Sequence, residues 1–298
     1  MKHSRRLKHG RIKPLCIKKI WSLVIATFLA QGSFASGVEK ETHSVDPVTR
    51  PTCRAVKITG SKQVRQLAVD LGVEGIELIE RINRRDQRHF KKNGVLQVPD
   101  VVRDALDFSP FPSGIVQIEA VPKLVVVSLR VQAFAAYEYG KLIRWGPVSS
   151  GTQKQATPAN LYYTNWKERR KTSTINSSWI MNWYFNLHSS MGVAFHQYDM
   201  PGSPASYGCI RLLSSDAKWV YDWADEWGLP LIGAAPTQYG TPVIVFGEFA
   251  YGKPPPWEAL SSDPAACDLK SSELSAVLER YLWVIVERLT SEEESLSE

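Results

Sequence analysis

A loop rich in proline and glycine, with a histidine before it and a cysteine after it, constrains this chain more than any other feature. The loop lies within residues 195–212, and His196 and Cys209 are thirteen positions apart. The residues between them that break regular structure are Pro201, Gly202 and Pro204. Such residues do not continue a helix or a central strand. The chain therefore leaves one element at the histidine and enters another at the cysteine.

A cysteine and a histidine brought together by such a loop suit nucleophilic catalysis. The reactive form of cysteine is the thiolate, and a neighbouring imidazole is a common means of generating it. The sharp turn before Cys209 also places the backbone N–H groups of Tyr207, Gly208 and Cys209 in sequence, which suits an oxyanion hole. The alternative is structural, because a single cysteine is usually a small buried side chain and a single histidine usually has an ordinary packing role.

The wider pattern favours catalysis. The segment Ser206-x-Gly208-Cys209-Ile210-Arg211-Leu212, preceded by Pro-Gly-x-Pro-Ala and by a histidine that ends an apolar run, resembles the signature of the YkuD-type L,D-transpeptidases. These enzymes act on bacterial peptidoglycan. The chain departs from the family at Tyr207, where a second histidine is usual. That histidine lines the site, so the departure affects the pocket and not the nucleophile–base pair.

The resemblance implies a role for each matching residue. Cys209 is the nucleophile, His196 is the general base, and backbone N–H groups at Tyr207 and Gly208 bind the oxyanion. The main-chain carbonyl of Gln197 orients the imidazole, with Asp199 as the alternative. Arg211 either holds a substrate carboxylate or supports the cysteine turn. The remaining residues expected to bind substrate or shape the site are Ser206, Trp183 and Tyr184.

Residues 1–35 are predicted to be a signal peptide. Eight Lys/Arg and no acidic residue accompany an apolar run at 20–30, and Ser33-Phe34-Ala35 has the small-x-small form of a cleavage site. The alternative is a retained anchor, although the run is shorter than the about 20 residues that span a bilayer. The whole chain carries a net charge of +6, and removal of this segment leaves 28 basic and 30 acidic residues. The basic charge therefore gives no support for nucleic-acid binding.

The region before the catalytic domain is predicted to contain a linker at 36–52 and a small module at 53–100. The module has strands at 54–58 and 95–99 around two helices separated at Gly72. This β-α-α-β order resembles LysM, a glycan-binding fold of bacterial walls, and the alternative is a structural spacer. The basic run from Arg84 to Lys92 is expected to be a solvated loop.

The catalytic domain is predicted at 115–247 as a mainly β YkuD-like sandwich with a helix after the nucleophile. Residues 214–216 are expected to cap that helix and Gly228 to end it. The Lys/Arg-rich segment at 160–180 is expected to be an exposed hairpin rather than a flap over the site. Residues 248–298 form a Pro-rich segment and an amphipathic helix at 271–289, which either docks on the catalytic domain or binds a partner.

Three cysteines remain after residue 35, which allows two interpretations. Cys53 and Cys267 form a disulfide that leaves Cys209 free, or all three are independent thiols. One cysteine and one histidine do not make a four-ligand zinc set, so no metal or other cofactor is predicted.

The sequence thus predicts an exported enzyme of the periplasm or cell envelope that forms a 3–3 cross-link or anchors a protein. Its expected partners are peptidoglycan stem peptides, with glycan strands and a wall-anchored acceptor protein as further candidates. Membrane attachment is expected only through an uncleaved signal segment, and no nucleic acid is expected. The alternatives are an L,D-carboxypeptidase or endopeptidase using the same site, and a non-catalytic wall-binding protein.

Overall fold

The computed structural model describes residues 50–228 and 238–295. The predicted signal peptide and most of the predicted linker lie outside the described residues. Within the part of the chain that is described, no helix combines the length and the apolar character needed to cross a membrane.

The N-terminal module has the predicted order of elements. Strand β1 (Cys53–Lys57) pairs antiparallel with β2 (Val95–Pro99). Between them lies helix α1 (Ser61–Asn83), which is interrupted at Gly72, where φ is 69°. Glycine adopts this left-handed conformation without steric cost, so the two predicted helical segments meet at this residue. The relation of this module to LysM remains a prediction.

In the part of the chain that the structure describes, nine further strands form one continuous sheet in the order β6-β11-β3-β4-β5-β10-β9-β8-β7. The strands are β3 (Lys123–Ser128), β4 (Ala133–Glu138), β5 (Lys141–Ser149), β6 (Asn160–Tyr163), β7 (Lys167–Thr172), β8 (Ile180–His188), β9 (Val193–Gln197), β10 (Ile210–Leu212) and β11 (Pro242–Phe246). Two neighbouring pairs, β3 with β11 and β9 with β10, are parallel, and the other pairs are antiparallel.

The two halves of this sheet pack face to face, as the predicted sandwich requires. Apolar side chains from β3, β6 and β11 share one core with those from β8, β9 and β10. Alternate residues of a strand face opposite sides, so Phe195, Ile210 and Leu212 enter this core. Their neighbours His196 and Arg211 consequently face away from it. The mainly β fold class is confirmed.

The helix after the nucleophile is α2 (Ser214–Trp223), which buries Ala217 and Val220 in the same core. Its predicted cap and end were wrong. Leu213 is the N-cap residue, no side chain caps the helix, and it ends at Trp223. The Asp216 carboxylate does not cap because it binds the guanidinium groups of Arg81 and Arg144.

The C-terminal helix α3 (Ser271–Ser295) docks on the nine-stranded sheet. Leu274, Leu278 and Ile285 are buried against the outer face of β3, β4 and β11, in a core that also contains Trp257. Docking is therefore the correct one of the two predicted roles.

The three described cysteines are free thiols. Cys53 and Cys267 are both buried and line the same small cavity. The structure brings this predicted pair together but contains no bridge between them.

Candidate active site

Two adjacent parallel strands position the histidine and the cysteine. His196 lies in β9 opposite Arg211 in β10, and Cys209 immediately precedes β10. Cys209 is thus one strand across and two residues along from His196, which corresponds to about 8 Å between their Cα atoms. Both side chains line one pocket on the face of the sheet away from the inner core. The loop predicted from its prolines makes this parallel crossover.

Hydrogen bonds fix the turn that precedes the cysteine. The Ser206 hydroxyl donates to the carbonyl of Cys209, and the Thr157 hydroxyl donates to the carbonyl of Gly208 over 2.9 Å. Gly208 has a φ of 101°, a conformation that favours glycine. The N–H groups of Ala205 and Ser206 both donate to the Ser150 carbonyl. The turn that carries the predicted oxyanion donors is therefore held by Ser150, the residue that follows strand β5.

The Cys209 thiol is partly buried and neutral at rest. Its sulfur donates to the Gly192 carbonyl over 3.1 Å. Burial raises the pKa of the thiol to about 11, although the N–H of Ala194 and the charge of Arg211 act in the opposite direction. The thiol therefore needs a base before it can act as a nucleophile at neutral pH.

His196 is oriented to serve as that base. Its Nδ1 lies 3.0 Å from the Gln197 carbonyl, which only accepts hydrogen bonds, so Nδ1 carries the proton and Nε2 is left as the acceptor. Burial lowers the pKa of the imidazole to about 4, against the effect of this hydrogen bond. The Tyr184 ring stacks on it at 6.4 Å. Of the two residues predicted to orient the imidazole, Gln197 and Asp199, it is therefore Gln197 that contacts Nδ1.

The side of the pocket opposite Cys209 comes from β7 and the β7–β8 loop, residues 173–179. Lys171, Ile175 and Trp179 line the pocket, and the Trp179 ring contacts Tyr207 at 5.3 Å. The sequence-based preference for an exposed hairpin at 160–180 was therefore wrong, because the tip of this hairpin covers part of the site. The substitution of tyrosine for the family histidine gives the loop an aromatic partner.

The structure brings most of the predicted site residues to this pocket. Ser206, Tyr207, Tyr184 and Arg211 line it together with His196 and Cys209. Arg211 stacks on Tyr198 at 4.7 Å and donates to the Asp199 carbonyl over 3.3 Å, so its side chain contacts the segment that follows His196. Its two predicted roles, binding a substrate carboxylate and supporting the cysteine turn, stay predictions.

Two predicted side chains lie elsewhere. Trp183 packs against Tyr221 on α2 because an irregularity in β8, with a φ of 53° at this residue, turns it away from the pocket. The Gln197 side chain binds Asn182 and acts at the site only through its main chain. Lys171, Trp179 and Thr157 were not predicted to act at the site.

The N-terminal module holds the loop between His196 and Cys209. Asp86 accepts a hydrogen bond from the Met200 N–H and donates its own N–H to the Met200 carbonyl, both over 2.9 Å. Arg85 donates to the Pro201 carbonyl over 3.1 Å, and Arg88 lies 2.9 Å from Asp199. Arg84 is almost fully buried. The prediction of a solvated loop from Arg84 was therefore wrong at its first residues.

Because the Cys209 thiol and the His196 imidazole are both neutral at rest, the reactivity of the thiol is expected to increase with pH. The rate at which iodoacetamide alkylates Cys209 is expected to rise about tenfold per unit between pH 7 and 10, because the thiolate fraction rises by that factor below the pKa. The rate is measured by mass spectrometry. The Cys209→Ala variant is the control, because any alkylation of it takes place at the buried thiols Cys53 and Cys267. A plateau that begins below pH 7 would instead indicate a resting thiolate–imidazolium pair.

Residues 122–245 match the family model of the YkuD L,D-transpeptidase catalytic domain. This domain belongs to the YkuD family. The matched residues lie within the predicted catalytic domain and include the whole crossover between His196 and Cys209. No curated protein matches the chain.

Solved L,D-transpeptidase structures are similar to part of the chain. One from Stackebrandtia nassauensis is 26% identical, with a TM-score of 0.36, over 43% of this chain and 57% of that one. One from Mycobacterium smegmatis is 22% identical, with a TM-score of 0.34, over 42% and 59%. Residues 123–326 of one from Xylanimonas cellulosilytica are 20% identical, with a TM-score of 0.39, over 66% and 98%. The chain thus covers less than two thirds of the first two proteins.

Proposed function

We propose that this chain is a peptidoglycan L,D-transpeptidase with Cys209 as nucleophile and His196 as general base. The observation that carries the proposal is the placement of the two residues on adjacent parallel strands in one pocket, inside a domain of the YkuD family. The proposed donor is a stem peptide, acylated at its diaminopimelate residue. Residues 1–35 support export to the periplasm or cell envelope.

The proposed reaction begins with proton transfer from the Cys209 sulfur to Nε2 of His196. Because the thiol has a high pKa and the imidazole a low one, this transfer accompanies attack on the diaminopimelate carbonyl instead of preceding it. Backbone N–H groups from Tyr207 to Cys209 bind the oxyanion. The C–N bond to the terminal D-Ala then breaks, and His196 returns its proton to the leaving amine.

The resulting thioester is resolved by an amine. A side-chain amine of a second stem gives a 3–3 cross-link, and a lysine of a wall protein gives anchoring. Water in the same position gives the carboxypeptidase or endopeptidase reaction. His196 is the base in every case, so the identity of the acceptor does not alter the acylation half-reaction.

The test is acylation by a carbapenem, whose ring opens on attack so that its whole mass is added to the enzyme. We expect the protein without residues 1–35 to gain one such mass, measured on the intact chain. The Cys209→Ala variant is expected to gain none. If Cys209 is reduced and reacts with iodoacetamide but forms no adduct, the transpeptidase proposal fails and a wall-binding role replaces it.

A further inference from the structure

The electrostatics of the pocket favour an anionic ligand. Among the described residues that line it are two cations, Lys171 and Arg211, and no carboxylate. They stand on different strands, with β9 and β8 between β10 and β7. Three steps across a sheet correspond to about 14 Å between the backbones of the two cations. The pocket therefore has a positive charge at each side.

The two cations differ in their surroundings. Arg211 is already engaged by Tyr198 and by the Asp199 carbonyl, and its charge acts on the Cys209 thiol. The Lys171 ammonium instead lies over the rings of Trp166, at 4.7 Å, and Tyr184, at 5.4 Å. Aromatic faces hold an ammonium without using its hydrogen-bond donors. Lys171 is thus placed to donate to a ligand.

Among the described residues, the anionic partner of Lys171 is Glu168, and a ligand can replace it. The Glu168 carboxylate lies 3.7 Å from the ammonium, and its side chain is 51% exposed. An ion pair of this length at a solvated position contributes little and is readily replaced. A substrate carboxylate that enters the pocket can therefore take the place of Glu168.

The position of Lys171 puts it within reach of a donor peptide bound at the site. The ammonium is 5.4 Å from the centre of the Tyr184 ring, which is 6.4 Å from that of His196. Together these distances put the ammonium no more than about 12 Å from the imidazole. Because an extended residue spans about 3.4 Å, Lys171 can reach a carboxylate within a few residues of the attacked carbonyl.

We propose that Lys171 binds a carboxylate of the donor, contributed by the diaminopimelate side chain or by the residue before it. This inference rests on the proposed function, because it assigns part of the substrate of the same site. It makes Lys171 a specificity residue: donors with the carboxylate bind well, and donors with an amide in its place bind weakly.

The experiment measures peptide binding without turnover. Cys209→Ala protein lacking residues 1–35 is titrated with three stem tetrapeptides: one with free carboxylates, one amidated on the diaminopimelate side chain, and one amidated on the preceding residue. We expect Lys171→Met, added to this background, to raise the Kd of the free peptide about tenfold, the effect of one lost charge-assisted hydrogen bond. Lys171→Met should leave unchanged the Kd of the peptide in which an amide replaces the carboxylate that Lys171 binds. The unaffected peptide therefore shows which residue supplies that carboxylate.

Two further variants serve as controls. Lys171→Arg keeps the charge and is expected to restore most of the affinity. Lys218→Met removes a charge from the exposed side of α2, where Lys218 pairs with Asp222, and is expected to change nothing. The inference is overturned if Lys171→Met weakens all three peptides equally, if it weakens none, or if the free peptide does not bind.

Failure of this inference is distinguishable from failure of the proposed function. The Cys209 enzyme is incubated with the same free peptide and an amine acceptor, and released D-Ala is measured. Peptide that binds through Lys171 but is not turned over contradicts the transpeptidase proposal alone. Turnover together with binding that does not depend on Lys171 contradicts the carboxylate site alone.

Discussion

Replacement of His196 by glutamine is expected to slow acylation of Cys209 by about 10²–10⁴-fold, the usual contribution of a positioned general base. The thiol has a pKa of about 11 and donates to a backbone carbonyl at rest, so it does not ionise unaided at neutral pH. Glutamine fills a similar volume but cannot accept the proton. The rate is measured from the growth of the carbapenem adduct with time.

His188 supplies a matched control for this experiment. It ends β8, near the edge of the Tyr162 ring, and is not among the residues that line the pocket. His188→Gln is expected to acylate at the rate of the unmodified enzyme. Equal losses in the two variants, or a loss of less than about tenfold at His196, would remove His196 from the role of base.

The burial of His196 also predicts a change in stability with pH. The folded pKa is about 4 and the ordinary value is 6.5, so the unfolded chain binds more protons than the folded chain between these values. Stability therefore rises with pH across this window, by about 3 kcal/mol from this residue. The free energy of unfolding in urea is measured at pH 4 and at pH 6.5. We expect it to differ less between the two pH values in His196→Gln than in the unmodified protein. Equal differences would contradict a buried neutral imidazole.

The sequence predicted those parts of the structure that depend on local pattern. Strand β2 begins and ends at the predicted residues. The Pro-rich loop led to the crossover that places His196 near Cys209, because residues that stop regular structure leave few other arrangements. The carbonyl that orients His196 is also local, since it belongs to the next residue.

What the sequence did not reveal depends on contacts between distant segments. Arg84 is expected in solvent by its residue type, yet its guanidinium lies between the rings of Trp145 and Trp257. Trp183 was expected at the site from the family resemblance, but a positive φ turns it to α2. Neither Trp257 nor the irregular backbone is detectable from the local pattern.

The position of Lys171 in the pocket likewise could not be predicted from the local sequence. Lys171 ends the run 167–171, in which four of the five residues are basic, and such segments are usually solvated. Its ammonium is placed by Trp166 and Tyr184, which are five and thirteen positions away and meet it only when β7 pairs with β8. The charge of the pocket therefore follows from strand pairing and not from composition.

The buried carboxylate of Asp216 is expected to be the most costly single residue to remove from the fold. It accepts two hydrogen bonds from Arg81, at 2.8 and 3.0 Å, and lies 2.7 Å from a nitrogen of Arg144. Its side chain is fully buried, and that of Arg81 is only 8% exposed. Asp216→Ala leaves the Arg81 charge buried without a counter-charge, with the Trp145 carbonyl as its remaining acceptor, which costs about 3–5 kcal/mol. Urea unfolding measures this loss.

The same helix offers a matched control, because Asp222 pairs with Lys218 in solvent, where the two side chains are 54% and 58% exposed. Asp222→Ala is expected to change the free energy of unfolding by less than about 1 kcal/mol. A loss below about 1 kcal/mol in Asp216→Ala as well would show that water or movement of Arg81 relieves its charge.

The double replacement Arg81→Met with Asp216→Leu tests whether the unpaired charge of Arg81 causes the loss of stability. Because it removes both charges, it is expected to recover much of the free energy of unfolding that Asp216→Ala loses. Arg81 ends α1 of the N-terminal module, whereas Asp216 lies in α2, directly after the nucleophile strand. The cost of breaking this pair is therefore also a measure of how firmly the module is joined to the catalytic domain. If the join is as strong as the geometry indicates, the two parts unfold in one transition, and Asp216→Ala is the variant expected to separate them into two.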